Sequence, residues 1–484
     1  MPELRPILFV VGILMSILAA AMLLPAIVDI AYGHDDWGAF VASAAITLFV
    51  GVAFVLTSRG RGFSLEVRQA FLLTALSWLM IAAFAALPFA FCELDLSYTD
   101  AFFESMSGVT TTGSTVIVGL DAAPPGILIW RAILQWLGGI GIIVMALSVL
   151  PLLRVGGMQL FRMESSDTSE KVLPRAAEIA SSIGLIYFAL TVICASAYAA
   201  CGMPWFDAVA HGMTTIATGG FSTSDLSFGR FSSAAIDAVA TAFMIIGGMP
   251  FVLYLRAIRG KPRALFEDSQ VRWFLSIVAI AIAAMTVYLY QTRGDDLAFI
   301  DAFRLCAFNV VSVITGTGFA TSDYGIWGAF ATTGMFYLMF VGGCAGSTTC
   351  GIKIFRFQVL YATCRSVVAK LVHPSGVFIP YYNRKPIPES VSESVMSFFF
   401  LFALCFAGLA LALSLLGLDY LTSVSGAATA IANVGPGLGP IIGPAGTFEP
   451  LPDQAKWLLS FGMLLGRLEL FTVMILVFPT FWKG

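Results

Sequence analysis

Long runs of uncharged, apolar residues dominate this chain and constrain its fold more than any other feature. A helix that crosses the roughly 30 Å hydrocarbon core of a bilayer needs about 20 such residues. Ten stretches are long enough, the last interrupted by Arg467 and Glu469: residues 7–28, 38–58, 69–92, 132–153, 179–206, 238–255, 273–292, 324–352, 394–418 and 457–482. Only 11% of the 484 residues are charged, against about 25% in soluble domains. The pattern predicts an all-α, polytopic membrane protein with about ten transmembrane helices.

Composition also excludes several function classes. The formal net charge of −3 provides no basic surface for nucleic acid. The eight cysteines lie in or beside apolar runs, and apart from Cys344 and Cys350 none are closely paired, so neither a disulfide framework nor a zinc site is indicated. The three histidines, near no serine or cysteine motif, argue against an intramembrane enzyme.

Most basic residues lie in alternate loops, and they indicate the orientation of the chain. Four loops carry them: Arg59, Arg61 and Arg68; Arg154, Arg162, Lys171 and Arg175; Arg256, Arg259, Lys261, Arg263 and Arg272; Lys353, Arg356, Arg365, Lys370, Arg384 and Lys385. The loops between them are acidic, as at Asp35 and Asp36, at Glu93 and at Asp295. Because basic loops stay in the cytoplasm, both termini are predicted to be cytoplasmic.

A pattern of apolar helix, short segment, glycine-rich loop and second helix occurs four times. The loops read TTTGST, ATGGFST, TGTGFATS and ANVGPGLG, and we align them on Gly113, Gly219, Gly318 and Gly435. Each is followed by a second glycine break: Gly138 and Gly139, Gly247 and Gly248, Gly342 and Gly343, and Gly462. The predicted divisions are a two-helix hairpin at residues 1–68 and pore repeats at 69–156, 157–262, 263–372 and 373–484.

The short segments of the first three repeats open with Asp100, Asp207 and Asp301, while the fourth has Asp419 in a less similar setting. Aspartate is a favoured N-cap, so each segment is predicted to be a half-helix that enters the membrane from the outer side. Its C-terminal end carries partial negative charge and would point toward the membrane centre.

Four such loops could surround one axis with rings of backbone oxygens that replace the hydration shell of a cation. Glycine supplies the backbone angles that this geometry requires, and no loop contains a carboxylate of the kind that a divalent ion prefers. A monovalent cation, by filter analogy K⁺, is therefore predicted. One Gly-Thr loop alone would indicate helix packing, but four in register favour a filter.

Seven longer motifs extend the prediction of a potassium filter to a known family. They are AFFESMSGVTTTGSTV, WRAILQWLGGIGIIV, LFRMESSDTSEKVLPR, DAVAHGMTTIATGGFST, GGCAGSTTCGIK, IANVGPGLGP and GMLLGRLELFT. At these residues the chain resembles the Trk, Ktr and HKT superfamily of potassium transporters, and within it the membrane subunits of bacterial Trk uptake systems. The resemblance implies a pseudo-fourfold pore in the inner membrane, a homodimer with one pore per subunit, and cytoplasmic nucleotide-binding regulatory subunits of RCK type. K⁺ would be the transported ion, with no organic cofactor in this chain.

The resemblance also assigns filter oxygens and favours K⁺ over Na⁺, because Gly113 stands where a serine accompanies sodium permeation in related transporters. The assigned filter residues are Thr111, Thr112 and Gly113; Ala217, Thr218 and Gly219; Gly316, Thr317 and Gly318; Asn433, Val434 and Gly435.

Two features below the filter are predicted to form a gate. The run GGCAGSTTCG at residues 342–351 has too much glycine for a strong helix and is predicted to be an unwound intramembrane loop; a glycine-packed kink is the alternative. Its candidate gate residues are Gly342, Gly343, Gly346, Ser347, Thr348 and Thr349. Cys350 stands where the family usually has glycine, which would stiffen the loop.

Arg467 is the second gate feature, since a charge near mid-membrane marks an ion path; a purely structural ion pair is the alternative. Glu469 is predicted to pack or pair with a cation, His211 to be a hydrogen-bonded structural histidine, and Arg131 to anchor a helix at the interface.

An alternating-access carrier for sodium or a small solute remains the second function hypothesis, since carriers also use broken helices. The basic loops at 154–178, 256–272 and 353–393 are the predicted landing surface for the regulator.

Overall fold

The computed structural model describes residues 3–60, 66–148, 172–293, 297–383 and 385–483, and this part of the chain is almost entirely helical. Helices suit a hydrocarbon environment because they satisfy their own backbone hydrogen bonds. Within the described ranges, seven helices are long and apolar enough to cross a membrane, and two bent helix pairs raise the number to nine. The predicted all-α membrane fold is confirmed.

The helices, numbered in chain order, fall into a first and a second half. The first half comprises α1 (Arg5–Tyr32), α2 (Trp37–Thr57), α3 (Val67–Ala85), α4 (Leu87–Phe91), α5 (Tyr98–Val109), α6 (Pro125–Ser148), α7 (Val172–Ala200), α8 (Trp205–Ile216), α9 (Ala234–Gly247) and α10 (Phe251–Ile258). The second half comprises α11 (Ala264–Glu267), α12 (Ser269–Arg293), α13 (Phe299–Ile314), α14 (Ala329–Met339), α15 (Ile354–Val372), α16 (Glu389–Leu415), α17 (Tyr420–Ala432), α18 (Asp453–Arg467), α19 (Phe471–Met474) and α20 (Pro479–Trp482).

Short elements complete the described structure. Strands β1 (Tyr381–Tyr382) and β2 (Lys385–Pro386) form an antiparallel pair. Single 3₁₀ turns lie at Leu120–Ala122, Ser227–Arg230, Tyr324–Ile326 and Ile475–Val477. The first two lie in the loops that follow α5 and α8, on the way back out of the membrane.

Helices α1 and α2 form a hairpin in which the two backbones approach closely. A side-chain carbon added to Gly12 would lie 2.6 Å from the Gly51 carbonyl oxygen, and one added to Gly51 would lie 2.9 Å from that of Gly12. Small residues permit such contact between membrane helices, where packing replaces the hydrophobic driving force. The hairpin packs on α3 and α6 and so braces the first repeat.

Each repeat places a short helix between a longer helix and a glycine-rich loop. The short helices are α5, α8, α13 and α17, and each is followed by one of the glycine-rich loops. Their residues are largely buried. The repeat boundaries at 69–156, 157–262, 263–372 and 373–484 stay predictions.

The N-cap prediction for the short helices is corrected. Asp100, Asp207 and Asp301 each lie third in their helix, after N-caps at Ser97, Pro204 and Ala298. A carboxylate in the first turn still complements the positive end of the helix dipole, which explains the recurring aspartate.

The fourth short helix does begin at an aspartate. The Asp419 carboxylate accepts a hydrogen bond from the Thr422 backbone N–H at 3.1 Å. Hydrogen bonds from Thr422 hold the pKa of Asp419 below its usual range. The repeat with the least similar sequence therefore has the aspartate N-cap that the other three lack.

Within the described ranges, three of the ten predicted spans are interrupted, and for segments 324–352 and 457–482 the sequence already indicates an interruption. Segment 238–255 bends by 93° between α9 and α10, and segment 457–482 bends by 111° after α18. In segment 324–352 the helix lasts only through α14, which is 11 residues long. The proline at the bend of segment 238–255 lacks the backbone N–H that would continue the helix. Glycine weakens the helix in segment 324–352.

The close contact between α1 and α2 predicts a specific sensitivity. Gly12→Leu should lower the thermal unfolding temperature of the detergent-purified protein, because overpacking costs about 1–3 kcal/mol. Gly38→Leu on α2 is the control, since within the described structure an added side-chain carbon there meets no atom within 4 Å. Equal effects of the two variants would contradict the packing role of Gly12.

Candidate functional site

The four glycine-rich loops meet in a closed ring. In each neighbouring pair, a glycine backbone lies so close to the next loop that an added side-chain carbon would collide with it or be in tight contact with it. A side-chain carbon on Gly113 would lie 2.2 Å from the Gly219 oxygen, and one on Gly220 would lie 1.8 Å from the Thr317 oxygen. A carbon on Gly318 would lie 2.7 Å from the Gly435 nitrogen, and one on Gly435 would lie 3.1 Å from the Gly113 oxygen. The first loop thus contacts the second, the second the third, the third the fourth, and the fourth the first.

Left-handed backbone recurs at equivalent places in this ring. The residues just past each short helix are Thr111 (φ 54°), Thr218 (49°), Gly316 (69°) and Asn433 (51°). Two residues later follow Gly113 (88°), Gly220 (82°) and Gly318 (84°). Positive φ at a threonine is costly, on the order of 1–3 kcal/mol, and such strain concentrates at functional sites.

This backbone pattern corrects the alignment of the second repeat. The sequence aligns Gly219 with the other central glycines, whereas the left-handed angle and the contact with the next loop belong to Gly220. The equivalent triplet is therefore Thr218, Gly219 and Gly220, and Ala217, the C-cap of α8, falls outside it. Adjacent glycines made the register ambiguous, because only the backbone shows which one turns.

A cavity of about 260 Å³ lies against the ring and supports the corrected register. All four loops line it, through Gly113, Gly220, Gly318 and Gly435. Its wall continues along the segments that lead out of the ring, which include Ser224 and Asp225. The cavity is therefore a vestibule at one mouth of the ring.

Arg131 is buried beside this vestibule, so its prediction as an interfacial anchor is wrong. It is 1% exposed, and its guanidinium pairs with the Glu104 carboxylate at 2.7 Å. It also donates to the Ser222 carbonyl oxygen at 2.6 Å. Glu104, the one charge in the last nine residues of α5, is the sequence signal that could have revealed this partner.

His211 has hydrogen bonds at both ring nitrogens. Nδ1 lies 2.8 Å from the Asp207 carbonyl oxygen and Nε2 lies 3.0 Å from the Ser222 hydroxyl. The side chain is fully buried. This arrangement fits the structural role that the sequence predicts for it.

Residues 342–351 are unwound, and residues 342–350 are buried beneath the second loop. The Thr348 hydroxyl contacts the Ile216 carbonyl at 3.0 Å, the Gly247 carbonyl at 3.1 Å and the Thr218 hydroxyl at 3.1 Å. The backbone of the segment is held as well, since Cys344 N donates to the Gly248 carbonyl at 3.0 Å. The unwound loop is thus bound both to the ring and to the bend after α9.

Arg467, the last residue of α18, connects the unwound loop to the first repeat. Its guanidinium donates to the Thr348 carbonyl at 3.2 Å and to the Gly138 carbonyl at 2.8 Å, and it contacts the Cys350 sulfur. It is 1% exposed. The side chain therefore holds the loop at the Thr348 carbonyl, whereas Thr218 holds it at the Thr348 hydroxyl.

Two further cations lie behind this loop. Lys353 and Arg356, counted above with a basic cytoplasmic loop, are buried. Lys353 donates to the Thr349 carbonyl, and Arg356 pairs with Glu469. The predicted pairing of Glu469 with a cation is observed. Lys353 and Arg356 therefore bind groups in the protein interior and are not part of an exposed basic loop.

Comparison with known proteins identifies the relatives of this chain. Residues 38–483 match the TrkH family, described as "Cation transport protein". The Trk system potassium uptake protein TrkI of Halomonas elongata is 49% identical over 99% of this chain and 97% of its own length. TrkH of Escherichia coli K12 is 38% identical, covering 99% of both chains. The crystal structure of the potassium transporter TrkH from Vibrio parahaemolyticus has a TM-score of 0.92 at 37% identity, covering 99% of this chain and 100% of its own.

The hydrogen bonds of Thr348 predict how firmly the unwound loop is held. Thr348→Val should raise the rate at which a membrane-permeant thiol reagent modifies Cys350, on the order of tenfold, because each lost neutral hydrogen bond costs about 1 kcal/mol. The measurement uses a background in which the exposed Cys364 is replaced by serine. Thr332→Val, which loses bonds only to Gly325 and Gly328, is the control. An unchanged rate would show that these bonds do not hold the loop.

Proposed function

Because this chain belongs to the TrkH family of cation transport proteins, we propose that its ring of four loops is the selectivity filter of a gated pore. The chain is a potassium uptake transporter of Trk type and not an enzyme. The finer proposal is that K⁺ passes along the axis of the ring, from the vestibule toward the unwound loop.

The ring geometry is the observation that carries this proposal. Four loops close on each other through glycine contacts, and in the first three the backbone alternates between left-handed and ordinary angles, while the fourth shares only the left-handed residue, Asn433. Such alternation can direct successive carbonyl oxygens to one side, as a potassium filter requires. The proposed filter residues are Thr111, Thr112, Gly113, Thr218, Gly219, Gly220, Gly316, Thr317, Gly318, Asn433, Val434 and Gly435.

Neutral oxygens support a monovalent cation in this ring. Among the described residues, Thr111 Oγ1 is buried and has no hydrogen-bond partner. A buried polar atom without a partner is costly, and a dehydrated alkali ion would offset that cost. The ring contains no carboxylate, so the donors are neutral, as a monovalent ion prefers.

The gate proposal combines the unwound loop with Arg467. Both lie beneath the ring, and the loop is bound to the ring at Thr218 and to the arginine at Thr348. A fixed positive charge in a region of low dielectric repels a cation. Displacement of the loop and of Arg467 together would open the path.

The carrier hypothesis is less well supported. A twofold carrier would bind its solute between two halves, whereas the contacts here join four equivalent loops around a single axis. Potassium-selective currents of open-channel size across a planar bilayer would exclude the carrier.

The remaining proposals concern the assembly. From the resemblance and from the exposed basic residues that follow α10, such as Arg259 and Lys261, we propose cytoplasmic termini and a cytoplasmic regulatory subunit of nucleotide-binding RCK type. A homodimer in the bacterial inner membrane is proposed on the resemblance alone. Co-purification with the regulator and mass measurement in detergent test both.

The filter proposal predicts the effect of one small substitution. Gly113→Ser should raise the Na⁺/K⁺ permeability ratio about tenfold, equivalent to about 1.4 kcal/mol, because a side chain there collides with the second loop and distorts the ring. Bi-ionic reversal potentials measure the ratio. Gly119→Ser is matched to it, since Gly119 has the same left-handed backbone (φ 80°) and, within the described structure, open space around it. An unchanged ratio in the Gly113 variant would remove the ring from ion selection.

The gate proposal predicts that a charge deletion increases transport. Arg467→Ala should raise K⁺ conductance on the order of tenfold, because a like charge several ångströms away opposes the ion by about 2 kcal/mol at an effective dielectric near 20. Arg467→Lys, which keeps the charge, and Arg263→Ala, which removes an exposed one, should show little change. A folded Arg467 variant with wild-type conductance would exclude the arginine from the gate.

A further inference from the structure

Three of the four short helices carry a polar side chain at one equivalent buried position that the filter proposal does not use. Counting back seven residues from the first left-handed residue of each loop leads to Glu104, His211, Asn309 and Gly426. The first three are fully buried. An apolar residue would fill such a position without the cost of burying a polar group, so three different polar side chains there call for a common reason.

In the first repeat, Glu104 binds the outgoing limb of its own loop. Its carboxylate accepts hydrogen bonds from the Thr115 hydroxyl at 3.0 Å and from the Val116 backbone N–H at 2.9 Å. Both donors follow Gly113 within three residues. The limb is therefore tied to the helix that precedes the ring.

Asn309 makes the same connection in the third repeat. Its Oδ1 accepts from the Thr321 backbone N–H at 3.3 Å, and its Nδ2 donates to the Thr321 hydroxyl at 2.8 Å. Nδ2 also donates to the Leu305 carbonyl one turn earlier, at 2.8 Å. Thr321 and Val116 occupy the same place, five residues after the left-handed residue of their loops.

His211 serves the second repeat in the manner of Asn309. Its Nδ1 contacts the Asp207 carbonyl one turn earlier, and because a carbonyl only accepts, Nδ1 carries the hydrogen. Nε2 then contacts the Ser222 hydroxyl on the outgoing limb at 3.0 Å. The histidine, like the asparagine, connects its own helix to the loop.

The fourth repeat shifts the same function by one residue. Gly426 has no side chain, but the adjacent Ser425 hydroxyl accepts from the Leu438 backbone N–H at 3.0 Å. Leu438 again lies five residues after the left-handed residue, here Asn433. Each loop is therefore held by a side chain from its own short helix.

A second set of contacts joins the first loop to the second. Arg131 connects Glu104 to the Ser222 carbonyl, and its guanidinium lies 4.1 Å from the centre of the Phe221 ring. One turn along α6, the Gln135 amide donates to the Gly219 carbonyl at 2.7 Å and accepts from Phe221 N at 3.0 Å.

We propose that Glu104, His211 and Asn309 are positioning residues that set the width of the ring and thereby its discrimination between K⁺ and Na⁺, with the Glu104–Arg131 pair fixing the first two loops relative to each other. This inference rests on the proposed filter. A ring of backbone oxygens rejects the smaller ion only if its loops cannot close in around it, and a site keeps its geometry through the residues behind it. The Glu104–Arg131 pair is buried at a desolvation cost, which specificity of geometry can explain.

The test measures Na⁺/K⁺ permeability ratios, which do not depend on the amount of folded protein. Glu104→Gln and His211→Leu should each raise the ratio about fivefold. His211→Asn introduces the residue of the third repeat and should recover most of the discrimination, which a loss of packing alone would not predict. Ser105→Ala, which removes the buried bond from Ser105 to the Ala82 carbonyl beside Glu104, is the matched control and should leave the ratio unchanged.

Gly113→Ser, measured in the same assay, separates this inference from the filter proposal. If Gly113→Ser raises the ratio while Glu104→Gln and His211→Leu do not, the positioning role is overturned and the filter stands. If Gly113→Ser has no effect, both fail. Should Glu104→Gln leave Arg131 unpaired and prevent folding, the two His211 variants decide the question, and equal ratios for asparagine and leucine at that position would overturn the inference.

Discussion

Every backbone amide and carbonyl within the membrane must find a partner inside the protein, and the centre of this structure depends on that requirement. The four loops of the ring leave helical geometry at membrane depth, and each does so against another segment that compensates it. The loop after α5 contacts those after α8 and α17, and the loop after α13 completes the ring. No single loop could be stable there alone, so the ring is a property of all four repeats together.

The same requirement explains the buried charges. Arg131 pairs with Glu104, Arg356 pairs with Glu469, and Arg467 binds carbonyl oxygens of two different repeats. Removal of one partner from such a pair is more costly than the pair itself is stabilising. The first pair lies behind the ring and the others lie around the unwound loop, so these buried charges lie where the loops must keep a defined arrangement. Thr218 and Thr348 join these two regions through their hydroxyls.

Much of the architecture could be predicted from the sequence because bilayer thickness and composition act locally. Helices α1, α2, α12 and α16 follow from apolar length alone, and the four short helices follow from their place between glycine-rich loops and spans. The errors arose where the outcome depends on distant residues. Arg131 lies in an apolar run, as an interfacial anchor would, but its partner Glu104 belongs to another helix. Gly219 and Gly220 are adjacent in the sequence, and only the contact with the third loop shows which of them is equivalent to the other central glycines. Segments 238–255 and 457–482 have the composition of spans, but their bends accommodate the unwound loop.

The sequence by itself determined that the chain is a helical membrane protein with four related glycine-bearing loops, since hydropathy and glycine content act through residues near in the chain. It also indicated that Arg467 and residues 342–351 matter, because charge and glycine are anomalous in a span. Only the tertiary structure decided which glycine of the second loop turns, which cations are interior, and which side chains of the short helices hold the loops. Those outcomes depend on contacts between residues up to more than three hundred positions apart, such as Ser114 with Gly435, and local pattern carries no information about such pairs.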